Sequence, residues 1–382
     1  MERWVLATET KRQARKPFPL VVVSGRGELN RGAGHARNAC IAQSTGKVLV
    51  IQDADDAMKP RRVEMQVAAL YSAHDRSKAA FLEDRHRPEL GVGRGTSRDG
   101  ALVLVGSQFD RLPADATRHY TAWANNLTEA GLSTQRFREC TLVHPTWCFS
   151  RWAFDALGGY PEELAEDLDL FLRWSNHPNA RLVKVEEPLV CYRHLPGASL
   201  AARTPRARLL TLRLRAFECH VLDGWCGFAP ALSGAPGQRS GLSTAEGAET
   251  SVHAAGDASS DKTSGRSVPG GPASGRLCAG KFVIWGAGRD GRAFYNALLP
   301  RYRERVACFV DVDESKIGKP YVNGGVKGSR PVDVWHWRDS PQGLPLVLCV
   351  AMGRTNGAFE SNVQALANER GLAEAVDYWH FN

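Results

Sequence analysis

Three carboxylates end an apolar run in this sequence. In "VLVIQDADDAMKPRRVEMQV", residues 48–67, the apolar stretch stops at Asp53, Asp55 and Asp56. Acids crowded together repel one another unless a cation or water holds them. Asp53 and Asp55 are two apart, so an extended backbone turns both to the same side. Two aligned carboxylates offer hard oxygens to Mg2+ or Mn2+. A metal held there could bridge diphosphate oxygens and offset the charge on a departing nucleotide. The plainer alternative is an acidic loop in which Asp56 caps the following helix. A second acidic pair, Glu166 and Asp167, opens the helical pattern "EDLDLFLRW". Carboxylates suit the positive end of a helix dipole. A carboxylate so placed could equally be a general base that takes a proton from an attacking hydroxyl.

The elements that must position these acids follow from periodicity. "FPLVVVS" (18–24) reads as a buried strand, and residues 31–45 as a helix entered through glycines and stopped at Gly46. "KVLVIQD" is a continuous apolar run, which suits a parallel sheet covered on both faces. A helix with Val63, Val67 and Leu70 on one side is expected from about Pro60. Residues 84–100, rich in Arg and Gly, read as a loop, and "ALVLVGSQF" resumes as a strand. "RHYTAWANNL" and "STQRFRECTL" read as helices, and "VHPTWCFSRWAFDALGGY" as an apolar unit closed by a Gly-Gly turn. "PEELAEDLDLFLRWSNH" reads as a helix with Leu168, Phe171, Leu172 and Trp174 on its apolar side, before a last strand, "RLVKVEEPLVCYRH".

Composition changes from about Ala231 to Gly275, where large apolar residues nearly vanish. Such a segment cannot offset its ordering entropy, so it reads as a disordered linker. The expected organisation is therefore residues 1–228, a linker over 229–276, and residues 277–382. Both outer parts alternate strand and helix, which predicts α/β folds with mainly parallel sheets. The net charge of +8 suits an anionic small-molecule partner as well as plain solubility, and nothing points to nucleic acid. The nine cysteines are an odd number without a CxxC pair, so they read as reduced thiols rather than a disulfide frame or zinc site. With no run of about 18 apolar residues and no secretory leader pattern, a cytoplasmic protein without a transmembrane segment is expected.

"RGAGHARNACIAQSTGKVLVIQDADDAMKPRRVEMQ", "PTWCFSRWAFDALGGYPEELAEDLDLFLR" and "CYRHLPGAS", in that order and spacing, resemble the family 2 glycosyltransferases of the GT-A fold. The resemblance covers about residues 20–200. It implies a nucleotide-diphospho-sugar transferase domain that moves a sugar, with GlcNAc as one candidate, from a UDP-sugar to an acceptor hydroxyl with inversion. The acceptor, a glycan, protein or small molecule, stays open. The resemblance implies that Asp53 contacts the sugar nucleotide, that Asp55 takes Mn2+ or Mg2+ with Asp56 in support, and that Asp167 is the base, backed by Glu166. Arg37 and Asn38 match the ARN of the family's helix, where they position the nucleotide pocket; their other reading is helix packing and capping. His194 lies near the place of a metal-facing His, although the matching slot, two past Arg193, holds Leu195. Family members begin with a strand ending in Asn, a helix and a second strand with an Asp-rich turn. This sequence starts at what resembles the next helix, so it is expected to lack those elements.

In the C-terminal part, "VIWGAGRDGRAF" follows one strand pattern and opens a helix, with Gly286, Gly288 and Gly291 in GxGxxG spacing. Asp311 ends the next strand, "VACFVD". Such glycines let a pyrophosphate approach a helix N-terminus, and such an acid can bind a ribose hydroxyl. A small Rossmann-like domain is expected, with a nucleotide or dinucleotide as its possible ligand. No acid–base set for hydride transfer accompanies it. The competing function from another class is a non-catalytic nucleotide-binding or scaffold protein with a degenerate transferase half.

Overall fold

Helix α1 (Gly32–Gln43) opens the part of the chain described by the structure, a computed structural model. The described residues are 30–85, 100–195, 204–228, 280–325, 329–351, 353 and 355–382. The expected strand 18–24, the loop residues 86–99 and the linker 229–276 lie outside them. Helix α1 packs close because of Gly34, where a Cβ would come within 2.1 Å of the Pro161 carbonyl oxygen. Arg151 covers carbonyls at and just past the helix C-terminus, donating to Ile41 O at 2.9 Å, Ser44 O at 3.0 Å and Gly46 O at 2.8 Å. Unpaired helix-end carbonyls need such donors.

The chain continues through β1 (Val48–Val50), β2 (Ala57–Met58), α2 (Arg62–Arg85), β3 (Leu102–Leu112), α3 (Arg118–Asn126) and α4 (Glu129–Thr134). Then come β4 (Cys148–Ser150), α5 (Arg151–Ala156), α6 (Glu166–Ser175), β5 (Ala180–Arg193), α7 (Arg206–Phe217) and the short α8 (Asp223–Cys226). The strands form one sheet in the order β1-β4-β3-β5-β2. Only β3 and β5 pair in parallel; β1–β4, β4–β3 and β5–β2 are antiparallel. The expected mainly parallel sheet is thus a mixed one here. A continuous apolar run reports two covered faces, as in the buried Leu102–Val105 of β3, and says nothing of strand direction.

Two expected helices differ. The one over 133–142 is only α4, capped by the Thr128 hydroxyl on Gly131 N at 3.1 Å. The rest turns irregularly. Side chains take over its carbonyl partnerships, with the Trp147 indole donating to Leu142 O at 2.8 Å. Helix α6 starts only at Glu166, after Ala165 in a left-handed conformation at φ 65°, so Glu162 and Glu163 precede it. Its amphipathic pattern holds: Leu168, Leu170, Phe171, Leu172 and Trp174 are all buried.

The C-terminal part comprises β6 (Phe282–Trp285), α9 (Arg289–Ala297), α10 (Pro300–Arg303), β7 (Val306–Asp311), β8 (Val334–His336), β9 (Leu346–Leu348), α11 (Ala358–Arg370) and β10 (Tyr378–His380). Its sheet, in the order β10-β9-β6-β7-β8, is parallel throughout. No helix among the described residues is long and apolar enough to cross a membrane.

The two parts share an apolar cluster. The Phe217 ring at the end of α7 meets Phe137 at 5.1 Å, Phe381 at 5.5 Å and Phe294 at 6.0 Å, and Phe137 meets Trp379 at 5.3 Å. Phe217→Ala is expected to lower stability by about 3–5 kcal/mol. Urea unfolding should show the loss in probes from both parts; a shift confined to one part would mean that the shared cluster does not couple them.

Candidate functional site

The carboxyl end of β1 and the start of α6 meet across a cavity of about 660 Å³. After Val50 the chain leaves the ladder, with Ile51 N donating to Trp147 O at 2.9 Å. It then turns, Asp56 N donating to Asp53 O at 3.2 Å. Asp53 and Asp55 therefore sit in a turn rather than an extended segment, yet both line the cavity. Asp56 does not cap α2, which begins at Arg62. Its Oδ1 instead accepts from Arg193 N at 2.8 Å, pinning the acidic turn to the end of β5. Its Oδ2 is buried and has no partner among the described residues. Burial, and then the neighbouring Asp55 and Asp53, push the Asp56 carboxyl up to about 6.

Arg62 holds the base of this turn. Fully buried, it donates to Ile51 O at 2.7 Å, Pro145 O at 2.8 Å, Gln52 Oε1 at 2.7 Å and Gln66 Oε1 at 2.9 Å. Burial lowers its guanidinium to about 10, which leaves it charged at neutral pH.

Arg37, from α1, joins the two acidic motifs. Its Nη2 meets Asp53 Oδ1 at 3.0 Å and its Nη1 meets Glu166 Oε1 at 2.6 Å. Burial opposes its charge, but Asp53, Tyr160 and Glu166 outweigh burial and raise its pKa above the ordinary value. Asn38 is used differently. Its side-chain amide donates to Tyr160 O at 2.8 Å and its oxygen accepts from Tyr160 N at 3.1 Å. Both ends are spent on holding α1 to the segment after the Gly158-Gly159 turn, and Asn38 is not among the cavity residues, so its packing role prevails over the pocket role.

Asp167 lies in the cavity wall at the first turn of α6, Oδ1 accepting from Leu168 N at 2.8 Å. Burial, and then the charge of Glu166, push its carboxyl up to about 6. A carboxylate with that value is ionised near neutrality and more basic than a solvated one, which suits a general base. Glu166 is turned to Arg37 and orients the pair.

His194 also lines the cavity, but its Nδ1 faces Arg111 Nη2 at 3.5 Å. Among the described residues no three His, Cys, Asp or Glu side chains converge as a metal-ligand set, so His194 is not gathered with Asp55 and Asp56. A metal shared with substrate phosphates needs only one or two protein carboxylates, and Asp55, which lines the cavity, fits that smaller role; Asp56 is not among the cavity residues, although its Oδ2 has no partner among the described residues.

Three cavity residues escaped the sequence reading. His144 is buried, 3.0 Å from the Tyr160 hydroxyl and 4.0 Å from Asp53 Oδ2. Burial, and then Arg37, drive its pKa well down, so the ring beside Asp53 is neutral. Arg111 and Tyr192 stand at the ends of β3 and β5. The rule that singled out Asp53, polar residues at a strand's carboxyl end, would also have found Arg111 after "GSQFD".

In the C-terminal part the expected ribose acid is turned into its own loop. Asp311 Oδ2 accepts from Ala287 N at 2.8 Å and Lys316 Nζ at 3.2 Å, and Oδ1 from Val312 N at 2.8 Å and Asp313 N at 3.0 Å. Gly286 has φ +114°, and a Cβ on Gly291 would lie 1.8 Å from Gly286 O, whereas one on Gly288 meets nothing within 4 Å. Gly291→Ala should therefore cost at least about 3 kcal/mol, the upper range for overpacking. Gly288→Ala should stay within about 0.5 kcal/mol. Thermal unfolding of the two variants checks this contrast; equal losses would mean that the turn is not packed as described.

Residues 13–81 match the family model for glycosyl transferase family 2. The matched span carries Arg37, Asn38 and the acidic turn, and ends before Glu166 and Asp167. Among solved structures, a crystal structure of S. aureus TarS 1–349 in complex with UDP-GlcNAc is similar with a TM-score of 0.30 and 14% identity. The match covers 50% of this chain and 48% of that one, so the chain spans about half the length of that structure.

Proposed function

We propose that this chain is a glycosyltransferase that moves a sugar from a UDP-sugar to an acceptor hydroxyl. The observation that carries this reading is the convergence on one cavity of the acidic turn, inside the segment that matches the family model, and of the raised carboxylate Asp167. Asp53, held by Arg37 and next to neutral His144, faces the sugar nucleotide. Asp167 takes the proton of the acceptor hydroxyl as its oxygen forms a bond to the anomeric carbon. The bond from that carbon to the phosphate oxygen breaks, its electrons leaving with UDP, and attack from the opposite face inverts the centre. Asp55, with Asp56 in support, would hold a Mn2+ or Mg2+, which would supply positive charge beside the diphosphate. The C-terminal part, Rossmann-like in its strand–glycine turn–helix unit, packs against the first part through the cluster around Phe217. The narrower choice of GlcNAc rests on the likeness of "RHYTAWANNLT" and "PTWCFSRWAF" to β-1,3-N-acetylglucosaminyltransferase-like sequences.

The test is release of UDP from a panel of UDP-sugars by the full chain, with UDP binding measured with and without Mn2+. Turnover with one donor, and loss of the Mn2+-dependent part of UDP binding in Asp55→Ala, are expected. UDP binding with no turnover for any donor and acceptor would favour a non-catalytic nucleotide-binding protein. Unchanged binding in Asp55→Ala would overturn the metal assignment.

A further inference from the structure

The least satisfied cation in the cavity wall is Arg111. It follows Asp110 at the carboxyl end of β3, beside the acidic turn. Its guanidinium carbon stands 4.1 Å over the Tyr192 ring. Its Nε and Nη1 are both shielded from solvent, yet neither has a hydrogen-bond partner among the described residues. Among the described residues its Nη2 comes within 3.5 Å of His194 Nδ1, at the limit of a hydrogen bond, and the guanidinium lies near enough to the Tyr192 hydroxyl to lower that group's pKa against the effect of burial. Buried donors of a charged group are costly to leave unmade. Other arginines of this half show what satisfaction looks like: Arg62 and Arg37 spend their nitrogens on protein oxygens. Asp56 is near Arg111, but its free Oδ2 makes no hydrogen bond to it. Arg111 thus lies over an aromatic ring with two buried nitrogens, Nε and Nη1, that no described protein oxygen meets.

A planar guanidinium with free N–H groups matches phosphate oxygens, and a stacked one loses little freedom when it binds them. We propose that Arg111, positioned by Tyr192, binds the diphosphate of the nucleotide on the same side of the cavity as Asp53 and Asp55. This assignment rests on the donor reading above and names the protein group that meets the phosphates. It predicts phosphate recognition with a component independent of added divalent metal.

The experiment is calorimetric titration of the full chain with UDP, uridine and inorganic pyrophosphate, in chelator and in Mn2+. The wild type is compared with Arg111→Ala, Arg111→Lys and Arg111→Gln, the last keeping a planar group over Tyr192 without charge. The expected result in chelator is UDP bound at least tenfold more tightly than uridine by the wild type. Arg111→Ala and Arg111→Gln should lose tenfold or more for UDP and pyrophosphate with uridine unchanged, and Arg111→Lys should recover part of the loss. Variants that bind UDP like the wild type, or that weaken uridine as much as UDP, overturn the assignment and leave the donor reading standing. A wild type that binds pyrophosphate through Arg111 but not UDP overturns the donor reading and upholds the phosphate site. A wild type that binds neither overturns both.

Discussion

On the proposed reading, with Asp167 as general base, Asp167→Asn is expected to reduce sugar transfer by about 100- to 10,000-fold, the range for loss of such a group. UDP binding should change little, because Asp167 lies on the α6 side of the cavity and the acidic turn on the other. The amide is nearly isosteric and can still accept from Leu168 N, as Asp167 Oδ1 does at 2.8 Å, so folding should be retained. The wild-type pH profile carries the same assignment. In its proposed role as base Asp167 works only when ionised, and its carboxyl is raised to about 6 by burial and by Glu166. Transfer should therefore rise with pH through about 6 and level off above it. In Glu166→Gln the burial remains but the adjacent negative charge is gone, so the rising limb should move to lower pH. A limb that stays in place in Glu166→Gln, or an Asp167→Asn enzyme of near wild-type rate, would assign the base elsewhere.

The second large effect is expected at Arg37. Arg37→Met keeps much of the stem but removes the bridge between Asp53 and Glu166. Glu166 is 9% exposed in its side chain, and Asp167 beside it is already raised, so the loss leaves clustered acids without their cation. Breaking such a buried pairing costs about 3 kcal/mol at the low end of measured cases. Activity should fall at least tenfold, and the rising limb of the pH profile should move upward, since Arg37 helps hold Asp167 ionised. The combination of a lowered denaturation midpoint and an upward-shifted limb separates this role from simple packing. A variant with only the stability loss would show that Arg37 is not electrostatically joined to the base.

Much of the candidate site was legible in the sequence because its acids are local to strong patterns. Asp53 and Asp55 follow an apolar strand, and Asp167 starts an amphipathic helix; strand ends and helix starts place polar groups at the sheet's edge whatever the pairing. The partners were harder to see. Nothing in the local sequence tells that Arg37 reaches Glu166, 129 positions away, or that Asn38 spends both amide atoms on Tyr160. His144 looks like any core histidine until Asp53 is found beside it. Asp311 has the spacing of a ribose-binding acid, yet the nearest N–H groups and Lys316 claim its oxygens.

By itself, the sequence determined the alternation of strands and helices, the two acidic motifs and the GxGxxG turn, since each follows from periodicity, capping or backbone freedom within a few residues. Only the tertiary structure decided strand direction in the first sheet, the joining of both acidic motifs through Arg37, and the shared cluster around Phe217. Those features depend on which distant surfaces meet. Apolar pattern reports how buried a segment is; it carries no information about the segment against which it is buried.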